Sequence, residues 1–586
     1  MAKDAIMERK DLTRNDTIKK VYLRFLKLCG MGIIASTVGV VFDSALAGNV
    51  IKGLAIAAIS MGNPVYLLST MLFMIFSLGG ATACSQFIGA GDQEKTNIVF
   101  TLSVKAGCLI AVVCGLVIML LRVPIVKALG ATDPQLIAMT SSYILGLCFS
   151  MPFVLLCNVY MSFVSLDGSP QIGFLASVVV ALSKIGLDLL LCVVLQLGII
   201  GVSLTTGLSM FLGFLVCLRH FKKDYCSLHF VPWRSELYLL KNIILTGLPN
   251  AISFLWSAVR AISLNKVLLA AGGVAAMSGA GVAEGISGLL TIIVMAFGYT
   301  MTSMLGLFYG EKDRRSMHDV FVLALKLGVT VAAIFALLIY ILAPFVPSAF
   351  GLKDPAAISA GVDATKALAI YFVSLELYYI FLYTYQSTEH TKLANYIVLS
   401  KQLLFFVPLL YLLSSILGLK GVWTAQIMAD WLSIASVILI IAVRTHHNPF
   451  NINNLFMLPA DFDQIILYAD VSVRYTTHSL DLFMSQLKKR CSQVITSRTE
   501  TVAKNIINHM GVVTSNDSFD IRIAEIDKVK TIKMRYSGDA FDASGQLPGT
   551  QHRFALGFNT VVIPIKEEDD AQWEQERTVQ NANIGH

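Results

Sequence analysis

From about residue 22 to residue 444 the chain is built of apolar blocks of 20 or more residues, parted by short charged or Gly/Pro-rich stretches. Each block is long enough to cross roughly 30 Å of hydrocarbon as an α-helix. The pattern predicts twelve such helices, over 22–48, 56–88, 98–121, 136–165, 172–196, 199–220, 239–270, 279–309, 318–346, 358–387, 393–416 and 420–444. Past Arg444 the pattern changes: a loop follows, and then polar and apolar positions mix at short range. Asp470 to Arg474 alternates as a strand does, and Leu480, Phe483, Met484, Leu487 and Cys491 recur at helical spacing. A second helix is predicted from Thr499 to Met510, stopped by Gly511, and then strands near 519–525, 530–536 and 554–565. The expected division is a cytosolic segment 1–21, a six-helix bundle 22–222, a cytosolic loop 223–238, a second bundle 239–444, a linker 445–460, a cytosolic α/β domain (an α+β sandwich) 461–566 and a disordered tail 567–586.

Composition supports a membrane protein. Of 586 residues 55% are hydrophobic and 14% charged, against about 25% charged in soluble domains. The first twenty residues are polar and lack the short apolar core of a cleaved signal peptide, so the first helix is expected to stay in the membrane. Lys3, Arg9, Lys10, Arg14, Lys19 and Lys20 precede it and Arg24 stands in its first turn; Lys222, Lys223 and Arg234 follow the sixth helix, and Lys312, Arg314 and Arg315 the eighth. The alternate loops carry fewer such charges, among them Lys52, Lys353 and Lys420. This asymmetry puts both termini in the cytoplasm of a multi-pass cell-membrane protein. The net charge of +7 then follows from topology and does not imply nucleic-acid binding. All ten cysteines except Cys226 and Cys491 sit in or at the edge of apolar segments, and none forms a CxxC or Cys/His metal pattern, so no metal or cofactor is expected beyond a coupling ion.

The chain repeats itself. Gly130 to Pro134 (GATDP) recurs as Gly351 to Pro355 (GLKDP), and Gly198-x-x-Gly201-Val202 as Gly418-x-x-Gly421-Val422. Gly91-Asp92 with Lys95 has a counterpart in Gly310-Glu311 with Asp313. Such pairs at near-constant separation predict a duplicated six-helix unit. The offset spans an even number of helices, so the two bundles are related by a parallel pseudo-two-fold axis along the membrane normal, a transporter plan. No selectivity-filter loop of a channel is visible.

Charges inside the apolar blocks are the candidate chemistry. At 1.5 Å per residue, Lys184 stands ~20 Å and Asp188 ~25 Å into the fifth helix, Asp43 ~30 Å along the first, and Thr206 ~9 Å below the outer surface in the sixth. All four fall at middle-to-outer depth, where an ionised group normally faces a cavity or a partner. A carboxylate there can take up and release a proton, or hold sodium with hydroxyl and carbonyl oxygens. Lys184 and Asp188 are i and i+4, on one helix face.

Together these features resemble the multidrug and toxic compound extrusion (MATE) transporters. The resemblance spans roughly 20–444. It rests on Val41 to Gly48 (VFDSALAG), Asn63-Pro64, Ser85 to Lys95 (SQFIGAGDQEK), Asp188 with Gly198 to Thr206, Thr246 to Pro249 (TGLP), and Ser400-Lys401 with Pro408. It implies export of cationic or amphipathic organic compounds driven by protons or sodium. It also implies that Asp43 and Asp188 carry the coupling ion, with Thr206 a neighbouring oxygen. The family usually has asparagine where Lys184 stands. Two readings follow: a fixed internal cation that weakens coupling, or a lysine that joins a proton relay. A sodium ion beside an ammonium is repelled, which favours protons.

In the second half the stretch after Leu248-Pro249 lacks the glutamate that one branch carries there. Arg260, Glu284 and Glu376 are the substrate-pocket candidates; otherwise Glu376 pairs with Arg260 or Lys401. Tyr379 belongs to an aromatic run, Tyr371 to Tyr385, that can stack flat cations but is more often packing.

The tail resembles the histidine-kinase-like ATPase fold of anti-sigma factors. The matching residues are Asn505 to His509 (NIINH), Ser537-Gly538 to Asp542 and Leu556 to Asn559 (LGFN), with Glu500 as the acid on the same helix. Glu500 is five residues before Asn505 where four is usual, Tyr536 stands in place of the adenine-reading aspartate, and the Gly-rich phosphate lid is missing. A shortened, non-catalytic copy is expected, with a regulatory or structural role and a cytosolic regulatory partner. An exporter, not an enzyme, is the favoured function; a membrane sensor whose tail relays a signal is the alternative. No P-loop supports an ATP-driven pump. The expected partners are the lipid bilayer and small organic substrates.

Overall fold

A computed structural model describes residues 17–31, 55–128, 134–232, 236–349, 354–446, 448, 451–459, 462, 464–488, 491–510, 518–526, 529–545, 547 and 549–565. It divides into two compact units, Met1–Arg24 with Leu458–His586, and Phe25–Met457.

The larger unit is all helical. Its elements are the end of α1 (17–31), α2 (Ala55–Met74), α3 (Gly80–Ala90), α4 (Gln93–Ala128), α5 (Pro134–Leu166), α6 (Pro170–Asp188), α7 (Ile199–Cys217), α8 (Leu237–Gly310), α9 (Arg314–Leu342), α10 (Val346–Ala349), α11 (Pro355–Ser387), α12 (Thr391–Leu399), α13 (Phe406–Leu417), α14 (Leu419–Thr445) and α15 (Ile452–Leu455). Eleven stretches among the described residues are long and apolar enough to cross a membrane. The first expected span lies largely outside the described residues, as does the GATDP turn before Pro134. The seventh and eighth spans run as one helix, α8, broken only at Gly273 (φ 61°, ψ −154°). That backbone geometry is open to glycine and strained for other residues, so one residue makes the turn for which the hydropathy pattern leaves eight.

Local chemistry sets the ends. Asp92 caps α4 by accepting from Lys95 N at 3.0 Å. Asp313 caps α9 in the same way, from Ser316 N at 3.0 Å. Proline opens α5, α6 and α11, where its missing N–H costs nothing. Left-handed turn residues fall at 91 and 312, 168 and 389, and 198 and 418, separations of 221, 221 and 220. Asp313 stands 221 residues after Asp92 and caps its helix in the same way. Three helices carry a π-helical segment: Ile75–Gly79 between α2 and α3, Leu189–Val194 after α6, and Ser400–Leu404 between α12 and α13.

Helices α2 to α7 pack on one another, as do α8 to α14, and the two groups meet along α3 and the end of α8. This seam is made of small residues. A Cβ on Gly89 would lie 2.8 Å from Glu311 N, and one on Gly310 2.6 Å from the carbonyl carbon of Gln86. Such small residues let helix backbones touch in lipid, where no hydrophobic force holds helices together.

The smaller unit is a five-stranded antiparallel sheet, β1 (Ile466–Arg474), β2 (Ser518–Ile526), β3 (Val529–Ser537), β4 (Gln551–Ala555) and β5 (Phe558–Ile565), in the order β1-β2-β3-β5-β4. Helices α16 (Thr477–Leu487) and α17 (Gln493–Met510) cover one face. Val473, Phe519, Ile521, Ile532, Met534, Val561 and Ile563 meet Leu480, Phe483, Val502 and Ile506 in its core. The expected single strand 554–565 is a hairpin instead, because Leu556 (φ 56°) and Gly557 (φ 84°) turn the chain. The start of α1 belongs to this unit: Thr17 donates to Ser518 O at 2.5 Å, and Val21 lies 4.0 Å from where a Cβ on Gly557 would stand.

Candidate functional site

The fifth and sixth spans bring three of the four expected coupling residues together. Helix α6 ends at Asp188, and a π-helical turn follows at once. Helix α7 starts after Gly198 and runs antiparallel beside it, which sets Thr205 and Thr206 against that end. Lys184 Nζ donates to Thr206 Oγ1 at 3.0 Å and to Thr205 Oγ1 at 3.3 Å, and stands 3.9 Å from Asp188 Oδ2. The Thr205 hydroxyl bridges to Asp188 Oδ1. Asp188 is fully buried and Lys184 6% exposed. Among these contacts two hydroxyls hold the ammonium, with the carboxylate at the edge of ion-pair range. Asp188 Oδ2 has no hydrogen bond among the described residues. Asp43 lies outside the described residues. Thr205 was missed in sequence; its signal was the doublet Thr205-Thr206, which places one hydroxyl on each side of the ammonium.

The second bundle has its own buried pair, which the sequence did not assign. Lys401 Nζ is 3.3 Å from Asp430 Oδ2, and both side chains are 3% exposed. Lys401 sits in the π-helical turn, 4.2 Å over the ring of Tyr378. Ser374 donates to Asp430 at 3.4 Å. Arg260 lies 4.5 Å over Phe406 and donates to Gln402 Oε1 at 3.3 Å. The expected pairing of Glu376 with Arg260 or Lys401 is thus not made. Glu376 is 1% exposed, and neither carboxylate oxygen has a hydrogen-bond partner among the described residues. It faces α9, where a Cβ on Gly328 would lie 2.5 Å from Oε1. Glu284 is exposed. Tyr379 packs between Tyr378 and Tyr383, with ring centroids 5.0 and 5.9 Å away.

A third cluster crosses the sequence too far apart to be seen there. His220 Nε2 meets Asp167 Oδ2 at 2.7 Å and Nδ1 meets Ser169 Oγ at 2.9 Å, and Ser227 N and Oγ donate to Asp167 at 3.0 and 2.5 Å. Cys226 is near enough that Asp167, His220 and Cys226 have the spacing of metal ligands. The carboxylate and imidazole are already engaged by these bonds, so the arrangement fits a structural latch. It fastens the chain after α7 to the first bundle, as do His229 N to Asn97 Oδ1 at 2.9 Å and Val231 N to Thr101 Oγ1 at 3.1 Å. Burial, and then the Asp167 carboxylate, push the Cys226 thiol up to about 12.

In the smaller unit Asn505 and His509 face the loop after β3. Asn505 Nδ2 donates to Ala543 O at 3.0 Å, and the His509 ring stacks on Phe541 at 3.5 Å. Gly538 (φ 149°) lies against Met510. Tyr536 donates to Phe541 O, and burial raises its phenol. Glu500 turns to Lys504, 2.7 Å away, whose ammonium holds the carboxyl below its usual range.

Two packed groups of spanning helices, with buried charges held by hydroxyls in mid-helix, define a membrane transport protein. The chain belongs to the MatE family, whose pattern matches residues 29–190 and 249–412. The protein is a secondary transporter and not an enzyme. Among similar proteins, the multidrug export protein MepA of Staphylococcus saprophyticus is 27% identical over 398 residues, 66% of this chain and 86% of that one. MepA of Staphylococcus aureus strain bovine RF122 is 24% identical over 435 residues, 72% and 94%. A crystal structure of MATE in complex with MaD3S superposes with a TM-score of 0.69 at 20% identity, covering 75% of this chain and 97% of that one. An outward-facing multidrug resistance MATE transporter gives 0.67 at 20% identity with the same coverage. These structures share the fold.

Proposed function

We propose that the protein is a proton-coupled antiporter that exports cationic or amphipathic organic compounds by alternating access. The observation that carries this reading is the buried, charged cluster of Lys184, Asp188, Thr205 and Thr206 inside the first bundle. The multidrug export proteins among its relatives support the substrate class. Protons are favoured because the two threonine oxygens that would ligate sodium already receive the ammonium. Asp188 can take a proton while Lys184 stays in its hydroxyl cradle, since the two are only loosely paired. Asp43 joins them by the family resemblance. Twelve spans in two repeated halves, with both termini cytoplasmic, complete the proposal. The matched left-handed turns at 91 and 312, 168 and 389, and 198 and 418 support the repeat. The glycine seam between α3 and α8 supplies a joint that can part and close on the cytoplasmic side.

The test is uptake into proteoliposomes under an imposed pH or sodium gradient. The wild type accumulates substrate against a pH gradient and ignores sodium. Lys184→Asn frees both threonine oxygens, so its pH-driven uptake falls and a sodium response emerges. Sodium-driven uptake by the wild type would overturn the proton reading.

We read the smaller unit as a shortened, non-catalytic relative of the ATPase fold with a regulatory role. The support is that Asn505, His509 and Tyr536 are all engaged by the unit's own loop. Millimolar magnesium-ATP is expected to shift the thermal unfolding of the full chain by less than about 1 °C, because only a bound ligand stabilises. A shift of several degrees would refute the degenerate reading.

A further inference from the structure

We propose that Lys401 and Asp430 form a second exchange site, in the second bundle, where an organic cation displaces the Lys401 ammonium from the Asp430 carboxylate and the lysine releases its proton. The inference rests on the antiport reading above and extends it to a site of its own.

Three observations converge. First, the pair is buried to 3% exposure on both sides, and the only further hydrogen bond among the described residues is a long one, from Ser374 to Asp430 at 3.4 Å, so the pair stabilises little. Second, the ammonium is poorly satisfied. It meets one carboxylate oxygen at 3.3 Å and a ring face, and the described residues offer its remaining N–H groups no acceptor. Lys184, by contrast, has two hydroxyls. Third, Lys401 sits within a π-helical turn, an irregularity that recurs at functional sites. The fifth helix of the first bundle carries such a turn directly after its own Lys–Asp pair.

The surroundings fit a cation. The Tyr378 ring that receives the ammonium at 4.2 Å can receive an organic cation in the same place. The ionisable groups around Lys401 are Asp430 from α14, Tyr378 from α11 and Arg260 from α8, and Tyr371 and Tyr379 lie in electrostatic range of Arg260 and Asp430. Glu284 lies in electrostatic range of Tyr371, and Glu376 faces α9. Arg260 is permanently charged. With Arg260 in place, one negative group already serves two cations, and a third makes the excess worse. The substrate cation therefore binds as Lys401 gives its proton to water. The ammonium–carboxylate pair and a free cation become a neutral amine, a cation–carboxylate pair and one released proton, with charge conserved. On the outer side a proton adds to the amine, the ammonium returns to Asp430, and the cation leaves.

The test is proton release on binding of tetraphenylphosphonium to the full chain in weakly buffered detergent, read with a pH indicator. The decisive variant is Lys401→Arg, which keeps the charge and the ion pair but cannot deprotonate. It is expected to stay folded and to release one proton fewer per bound cation than the wild type. Asp188→Asn, which touches only the first bundle, retains that proton on binding, although its transport cycle, which needs Asp188, stops. Equal release from wild type and Lys401→Arg overturns the proposal while leaving the antiport reading intact. No release from the wild type overturns both. If Lys401→Gln loses stability and release, and the double variant Lys401→Gln with Asp430→Asn recovers both, the pair is a structural salt bridge and the proposal fails.

Discussion

Asp188→Asn abolishes pH-driven accumulation of substrate in proteoliposomes while the protein remains folded. The substitution preserves shape, and the Thr205 hydroxyl can still donate to the remaining oxygen at Oδ1. What it removes is the charge that a proton neutralises. At one proton per substrate, a pH difference of one unit sustains about a tenfold concentration ratio, since each unit is worth about 1.4 kcal/mol. The variant is expected to reach a ratio of about 1. It also takes a negative charge from beside the buried Lys184 ammonium, so its melting temperature falls. Adding Lys184→Asn removes that ammonium and restores stability without restoring coupling. Tenfold accumulation by Asp188→Asn would place the coupling carboxylate elsewhere, with Asp43 and Glu376 the next to examine.

Gly310→Val drives a side chain into the backbone of α3 and stops transport. The new Cβ would lie 2.6 Å from the carbonyl carbon of Gln86 and 2.9 Å from Ala90 N. Both are main-chain atoms, so no rotamer change relieves the contact. Overpacking of this kind costs about 1–3 kcal/mol or more. At roughly 2–4 °C per kcal/mol for chains of 150–250 residues, the apparent melting temperature should fall by about 2–12 °C. Efflux falls to background, because the two bundles can no longer close on that side. Gly281→Ala, whose Cβ meets nothing within 4 Å, is the control and leaves both measurements unchanged. An unaltered melting temperature in Gly310→Val would mean that the seam is not a packed joint.

The spanning helices were legible because the bilayer imposes one rule on sequence: about 20 apolar residues for each crossing. The same regularity hid the details. Gly273 looks like any glycine in an apolar run, yet it alone turns α8 between two spans. The hairpin at Leu556-Gly557 was read as uninterrupted strand because the residues on both sides are strand formers. In the first bundle Lys184 and Asp188 could be paired from sequence, since four residues is one helical turn. Their distance of 3.9 Å, and the hold of Thr205 and Thr206 on the ammonium, depend on how α7 lies beside α6.

The second bundle shows the limit most plainly. Lys401, Glu376, Arg260 and Asp430 were all visible as polar residues in apolar helices. Lys401 pairs with Asp430, which comes from a different helix, and Glu376 turns to a glycine on α9. The latch of Asp167 with His220 joins residues 53 apart in the chain. By itself, then, the sequence determined the class of protein and the helical, membrane-crossing character of its apolar blocks. These follow from local composition and helical rise. Only the tertiary structure decided which charge meets which, because partner choice across helices depends on rotation and spacing that no single helix encodes.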